Sequence, residues 1–395
     1  MSLRARAEAA LLPTYPERPL VLVRGAGTTV WDDEGNAYLD LVAGLAVNAL
    51  GHGHPAPVAA LAEQAAHLGH VSNLFYSEPQ VALAERLCAL AGFGRVFFAN
   101  SGAEAVEAAI KLARRRGRAR GGESKHEIVC LEGAFHGRTL ATLAAGGSHD
   151  KRAPFEPVPA GFRRVPRNRV DALEAAIGPA TAGVLLEPIQ GEGGVWPLSE
   201  AFLAAARELC DRHEALLLFD EVQTGIGRCG EWFAFQRTGV RPDAIALAKG
   251  LGAGLPVGAL VARGVEDGFA RGDHATTFGG SPPIAAAALA VLTAIDREGL
   301  VANAREVGAH LTARLSALDG VAGVRGAGLL LAVELRDVAA AEAAEALRTR
   351  GVLVNAVTPT ALRLCPPLSL SPAEADRACD ALSDVLSPLP EAALR

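Results

Sequence analysis

Lysine is nearly missing from this chain. Of 395 residues 38 are Lys or Arg, yet only Lys111, Lys125, Lys151 and Lys249 are lysines, and methionine occurs once, at Met1. The drift writes a generic cation as Arg, so every retained lysine poses a question. No uncharged apolar run reaches the length of about 20 residues that a membrane helix needs, and Glu8 and Pro13 break the early apolar stretch that a secretory signal would require. A net charge of −6 leaves no basic face for a nucleic-acid backbone. The densest basic run (Arg114, Arg115, Arg116, Arg118, Arg120) closes a predicted helix, where cations complement the helix dipole. The six cysteines form no CxxC pair, which excludes a zinc framework and fits a reducing cytoplasm. His52 and His54 look like a metal pair but have no third ligand nearby in sequence, so they read as part of a turn. Internal repeats and low-complexity linkers are missing too.

What the chain does have is apolar bulk. Half its residues are hydrophobic and 21% are charged, enough to bury a large core over two or three domains. From about Val96, short apolar runs alternate with helical patterns: VFFA (96–99), IVCL (128–131), AGVLLEPI (182–189), LLLFDEV (216–222), AIALA (244–248) and VGALVA (257–262). Runs this apolar, separated by helices, predict strands buried on both faces of a mostly parallel sheet in an α/β domain. The stretch 146–169 lacks periodicity and reads as a long loop. SPPIAAAALAVLTAI predicts a long helix leading into a smaller α+β unit. The expected division is an N-terminal segment (1–55) packing with the small domain, a large domain (56–290) and a C-terminal small domain (291–395).

Three segments carry candidate chemistry. Lys249 follows the strand AIALA and precedes GLGAGLP; it is either an exposed turn cation or a Schiff-base lysine, a role open to Lys and closed to the permanently protonated Arg. Asp220 ends LLLF at another predicted strand terminus, the edge where open α/β sheets bind ligands. It reads as a turn residue or as a carboxylate that keeps a pyridine nitrogen protonated. Ser101-Gly102-Ala103-Glu104 opens a helix after VFFAN, where the SxxE spacing gives a capping box and the same helix end suits a phosphate. By contrast, Gly225, Gly227 and Gly230 match GxGxxG, but the acidic pair Asp220-Glu221 precedes them and no helical pattern follows, so a dinucleotide site is not expected.

Taken in order, FFANSGAEAVEAAIKLAR, GAFHGRTLAT, LLEPIQGEGG, LLLFDEVQTGIGR, PDAIALAKGLGAGLPVGA and TTFGGSPPIAAAA resemble the signature of the class III aminotransferases, pyridoxal-phosphate enzymes of fold type I. The resemblance covers residues 20–370. It implies that Lys249 holds the cofactor and shuttles the proton, that Asp220 pairs with the pyridine nitrogen, and that Val222 and Phe135 pack on the two ring faces. Gln223 would reach the phenolic oxygen and Ser101, Gly102 and Ala103 the phosphate. Thr277 would reach the phosphate from the neighbouring subunit, so a homodimer with shared sites is implied, and no metal.

For the substrate, the resemblance implies a carboxylate clamp at Arg138, a contact at Thr276, and a switchable pair, Glu192 with Arg363, whose residue-level alternative is a surface strand Arg. Leu45 stands in a segment where relatives acting on free ornithine carry a tyrosine, which favours an acylated amine. The implied reaction moves the δ-amino group of N2-acetyl-L-ornithine to 2-oxoglutarate. The alternatives are another ω-amine donor (succinyl-diaminopimelate, ornithine, 4-aminobutyrate or carrier-linked lysine), an NAD enzyme built on the GxGxxG match, or a non-catalytic relative.

Overall fold

The computed structural model describes residues 2–263 and 268–387. Residues 264–267 and the outer ends of the first and third expected units, Met1 and 388–395, lie outside the described residues.

The apolar runs form a seven-stranded sheet. Across it the strands are Arg95–Ala99, Gly258–Ala262, Ala244–Leu247, Leu216–Asp220, Thr181–Leu186, Glu127–Leu131 and Phe162–Val165. Every residue of Thr181–Leu186, Leu216–Asp220 and Ala244–Leu247 is buried, which is why these strands read as unbroken hydrophobic runs rather than alternating ones. Gly258–Ala262 runs antiparallel to both its neighbours. The other six point the same way, so their C-terminal ends share one edge with the start of the antiparallel strand.

The expected loop over 146–169 needs correction. It contains a short helix, His149–Arg152, and then Phe162–Val165, which adds parallel to Glu127–Leu131 as the sheet's edge strand. Two arginines in FRRV hid the strand, because an edge position leaves one side of it in water.

Helix Gly102–Gly121 packs its small apolar face (Ala105, Val106, Ala108, Ala109, Leu112, Ala113) on the sheet. SPPIAAAALAVLTAI forms the helix Pro282–Arg297. Beyond it lies a four-stranded antiparallel sheet of Val321–Ala327, Leu330–Leu335, Ala361–Leu364 and Asn355–Ala356. The N-terminal strands Leu22–Ala26, Thr29–Asp32 and Ala37–Asp40 complete their own sheet with Val352–Leu353, so the two ends of the chain pair directly. Among the described residues no helix is long and apolar enough to cross a membrane.

Candidate active site

A cavity of about 510 Å³ opens at the shared strand edge, of the size that holds a small molecule. Strand ends supply its wall in turn: Asn100 and Ser101 after Ala99, Phe135 after Leu131, Glu187 after Leu186, Asp220 itself, and Lys249 after Leu247. Convergence at one edge follows from parallel strands, whose ends face the same way.

Lys249 leaves its strand with φ 44°, a left-handed conformation that is uncommon for a side chain of this size and carries a cost of about 1 kcal/mol or more. Burial pushes its ammonium below the ordinary lysine range; Glu192 pulls it back up, and Arg363 pushes it further down. A lysine poised in this way is a better nucleophile and base than an exposed one.

Asp220 is buried and its two oxygens are separately engaged: Oδ2 lies 2.8 Å from His136 Nδ1, and Oδ1 accepts the Val222 N–H at 3.1 Å. Burial alone would depress His136, but the hydrogen bond and charge of Asp220 outweigh it and raise the imidazole. His136 Nε2 is buried without a partner in the protein.

Ser101 caps helix Gly102–Gly121, its Oγ accepting the Glu104 N–H at 3.2 Å. Only half of the expected capping box forms, because Glu104 reaches back one residue further, to the N–H (2.6 Å) and side chain (2.9 Å) of Asn100. The helix end borders the cavity, and Gly102 is there for space: a Cβ would stand 2.7 Å from Val222 Cγ1. A helix N-terminus beside a cavity suits an anion, Ser101 Oγ taking only one of its N–H groups.

Glu192 and Arg363 are paired, with Arg363 only 1% exposed. The surface reading of Arg363 is therefore excluded. Burial would push the Glu192 carboxyl up, yet Arg363 and Lys249 hold it below its ordinary value. Gln223 sits beside the pair, 3.5 Å from Glu192 and 3.4 Å from Arg363. Arg138 is exposed at the rim, its guanidinium 5.7 Å from the Phe135 ring centroid, with Lys151 Nζ 5.5 Å from the same ring.

Not every expected residue reaches this cavity. Thr277 is exposed, and neither it nor Thr276 lines the cavity of its own chain; Thr276 Oγ1 instead accepts from Asn100 Nδ2 at 3.3 Å. Leu45 lies on a left-handed turn in which Ala43, Gly44, Leu45 and Ala46 all have positive φ, and Val47 rather than Leu45 borders the cavity. His52 and His54 go separate ways, to Asp40 (2.9 Å) and Glu298 (3.2 Å), and among the described residues no cluster could hold a metal. Gly227 and Gly230 face Leu368 and Arg305, so the GxGxxG glycines serve close packing.

Two site residues were missed in the sequence. His136 directly follows Phe135, and Glu187 follows an apolar strand at the same edge where Asp220 ends one; that second placement was a readable signal.

Lysine at the floor, a carboxylate held by a buried histidine, an aromatic and a valine as walls and a helix end for an anion together define a site for an amine-transferring enzyme. The chain belongs to the family described as aminotransferase class-III, whose profile matches residues 13–386. It is 50% identical to acetylornithine aminotransferase 1 of Bordetella bronchiseptica over 375 residues, covering 93% of this chain and 95% of that one. It is 47% identical to the acetylornithine aminotransferase of Mycolicibacterium smegmatis, with 98% of each chain covered. Among solved structures, the ornithine aminotransferase of Toxoplasma gondii superposes with a TM-score of 0.92 at 31% identity, covering 97% of this chain and 93% of that one. An (S)-enantioselective omega-transaminase from Thermomicrobium roseum gives 0.91 at 32% identity, with 98% of each covered.

Proposed function

We propose that this enzyme transfers the δ-amino group of N2-acetyl-L-ornithine to 2-oxoglutarate, giving N-acetyl-L-glutamate 5-semialdehyde and L-glutamate, in the cytoplasm. The observation that carries it is the pair of half-buried Glu192 with buried Arg363 beside Lys249, read with the shared name of the relatives at 44–50% identity. Six unpaired cysteines fit the reducing compartment.

The residues fit pyridoxal phosphate: Ser101, Gly102 and Ala103 would take its phosphate, Asp220 its ring nitrogen, and Phe135 and Val222 its two ring faces. When bound, that cofactor supplies an electron sink and carries the amino group between half-reactions. Asp220, held by His136 and the Val222 N–H, would keep a proton on the ring nitrogen. Lys249, its ammonium destabilised by burial, takes and returns the proton of the amine-bearing carbon through Nζ. With Glu192 paired to it, Arg363 offers no free cation beside the donor's δ-carbon, which carries no carboxylate, while Arg138 takes the donor's α-carboxylate from the rim. When glutamate or 2-oxoglutarate binds, Arg363 exchanges Glu192 for the α-carboxylate, and Arg138 clamps the distal carboxylate from the rim.

We further propose a homodimer in which Thr277 of one subunit completes the phosphate site of the other. Leu74, Phe75, Tyr76 and Phe278 are exposed. Their segments adjoin, because Asn73 donates to the Thr276 and Gly279 carbonyls (3.0 and 3.2 Å). An exposed apolar patch of this kind marks an interface.

The half-reactions test the proposal. N2-Acetylornithine alone should bleach the visible absorption of the purified enzyme, and 2-oxoglutarate should restore it. Bleaching that requires both compounds together would contradict the ping-pong scheme.

A further inference from the structure

We propose that Glu187 is a positioning residue: one buried carboxylate beside the His136–Asp220 pair that ties the Phe135 segment to the Glu192 loop, one oxygen to each. Glu187 follows the fully buried strand Thr181–Leu186 and borders the cavity. Its Oε2 accepts the Phe135 N–H at 2.9 Å and its Oε1 accepts the Gly191 N–H at 3.3 Å. The two loops meet elsewhere through neutral contacts, with Gln190 Nε2 donating to the Glu132 carbonyl at 2.9 Å. Glu187 adds a charge to that lacing, and its oxygens are shared between the loops one to each.

The charge matters because of what faces it. Burial pushes the Glu187 carboxyl up to about 7; His136 pulls it down, Asp220 pushes it up, and the two backbone N–H groups favour the ionised form. Ionised, Glu187 accepts from both loops and stands as a second anion near His136, whose Nε2 has no protein partner. Protonated, one oxygen becomes a donor and can no longer serve the N–H opposite it. The Phe135 wall and the Glu192 loop are then pinned separately rather than together. The carboxylate therefore acts on the cofactor through His136 and Phe135, without touching the reacting atoms.

The test uses holoenzyme converted to its pyridoxamine phosphate form, in which no bond joins cofactor to Lys249. It rests on the cofactor reading above, but not on which amine is the donor, so failure of acetylornithine as a substrate would leave its outcome unaffected. Cofactor release after dilution is followed at pH 6 and pH 8.5 for the wild type and for Glu187→Gln, which keeps an acceptor for one N–H only. The expected result is release about tenfold faster in the variant at pH 8.5, with the two proteins converging at pH 6. Equal rates at pH 8.5, or a difference that persists unchanged at pH 6, would overturn the proposal, since a purely structural glutamate would lower thermal stability without this pH course. If Glu187→Gln does not fold, the wild type decides: its release rate should rise about tenfold between pH 8.5 and pH 6, and a flat course would overturn the proposal.

Discussion

The composition leaves four lysines, and the structure separates them. Lys111 meets His274 Nδ1 at 2.8 Å at the surface, and Lys151 lies over Phe135. Lys125, in the loop before Glu127–Leu131, is buried and donates to the His213 carbonyl at 2.5 Å. Chain tracing alone could not show that, because its burial comes from helix Gly102–Gly121 folding over it: a Cβ on Gly121 would strike the Lys125 side chain. Lys249 is the one at the cavity floor. Lys249→Arg keeps the charge, and we expect no borohydride-fixed label at residue 249 and transamination down by about a thousandfold or more. Intact mass after borohydride checks the label, and a normal label would show that another residue holds the cofactor.

Glu221 illustrates a different use of a buried carboxylate. It anchors the turn after the site by accepting from Ala234 N–H (2.7 Å), Phe235 N–H (2.8 Å) and Thr224 Oγ1 (2.8 Å). Burial pushes it up to about 7, with the backbone donors pulling the other way. The folded state thus holds this proton more tightly than the unfolded chain, whose carboxyl titrates near 4.5. Its contribution is fully present below that value and is lost as pH rises through about 7, a change on the order of 3 kcal/mol. Denaturant titrations between pH 4 and 8 should show Glu221→Gln flattening this decline; an unchanged slope would assign the pH dependence to other groups.

At the scale of elements, the strands were legible because burial on both faces leaves unbroken apolar runs. The helix of SGAE was legible through its cap and periodicity. The edge strand Phe162–Val165 and the antiparallel direction of Gly258–Ala262 were not, since neither edge solvation nor strand direction leaves a mark in a single run. Partner choice escaped too: SxxE announced a capping box, yet Glu104 serves Asn100. The strand-to-helix turn is also where a small change should be costly. In Gly102→Ala the added carbon meets Val222 at 2.7 Å at the mouth of the helix N-terminus. We expect cofactor affinity to fall by about tenfold or more with little loss of fold, as the phosphate is displaced from the helix end. Equilibrium dialysis of pyridoxal phosphate measures it, and unchanged affinity would remove the helix end from the phosphate site.

At the scale of the whole molecule, the pairing of Ala37–Asp40 with Val352–Leu353 brings the two ends of the chain together, and the resemblance spanning residues 20–370 made both visible as one enzyme. The Glu192–Arg363 pair joins a loop to a strand 171 residues away in sequence; no spacing rule could have linked them, and only the family resemblance did. The proposed assembly rests on the exposed Thr277 and its apolar surroundings. Sedimentation should give a dimer, and Thr277→Ala should weaken cofactor binding without dissociating it; a monomer with full activity would contradict shared sites.

The central claim is the identity of the amine donor, and one comparison tests it most directly. On a single purified sample with 2-oxoglutarate as acceptor, kcat/KM is measured for N2-acetylornithine, ornithine, succinyl-diaminopimelate and 4-aminobutyrate. The account predicts that N2-acetylornithine exceeds free ornithine by about tenfold or more, since both offer the same α-carboxylate but the apolar Val47 at the cavity gives the charged α-ammonium of free ornithine no partner, whereas acylation removes that charge. A higher kcat/KM for free ornithine would contradict it.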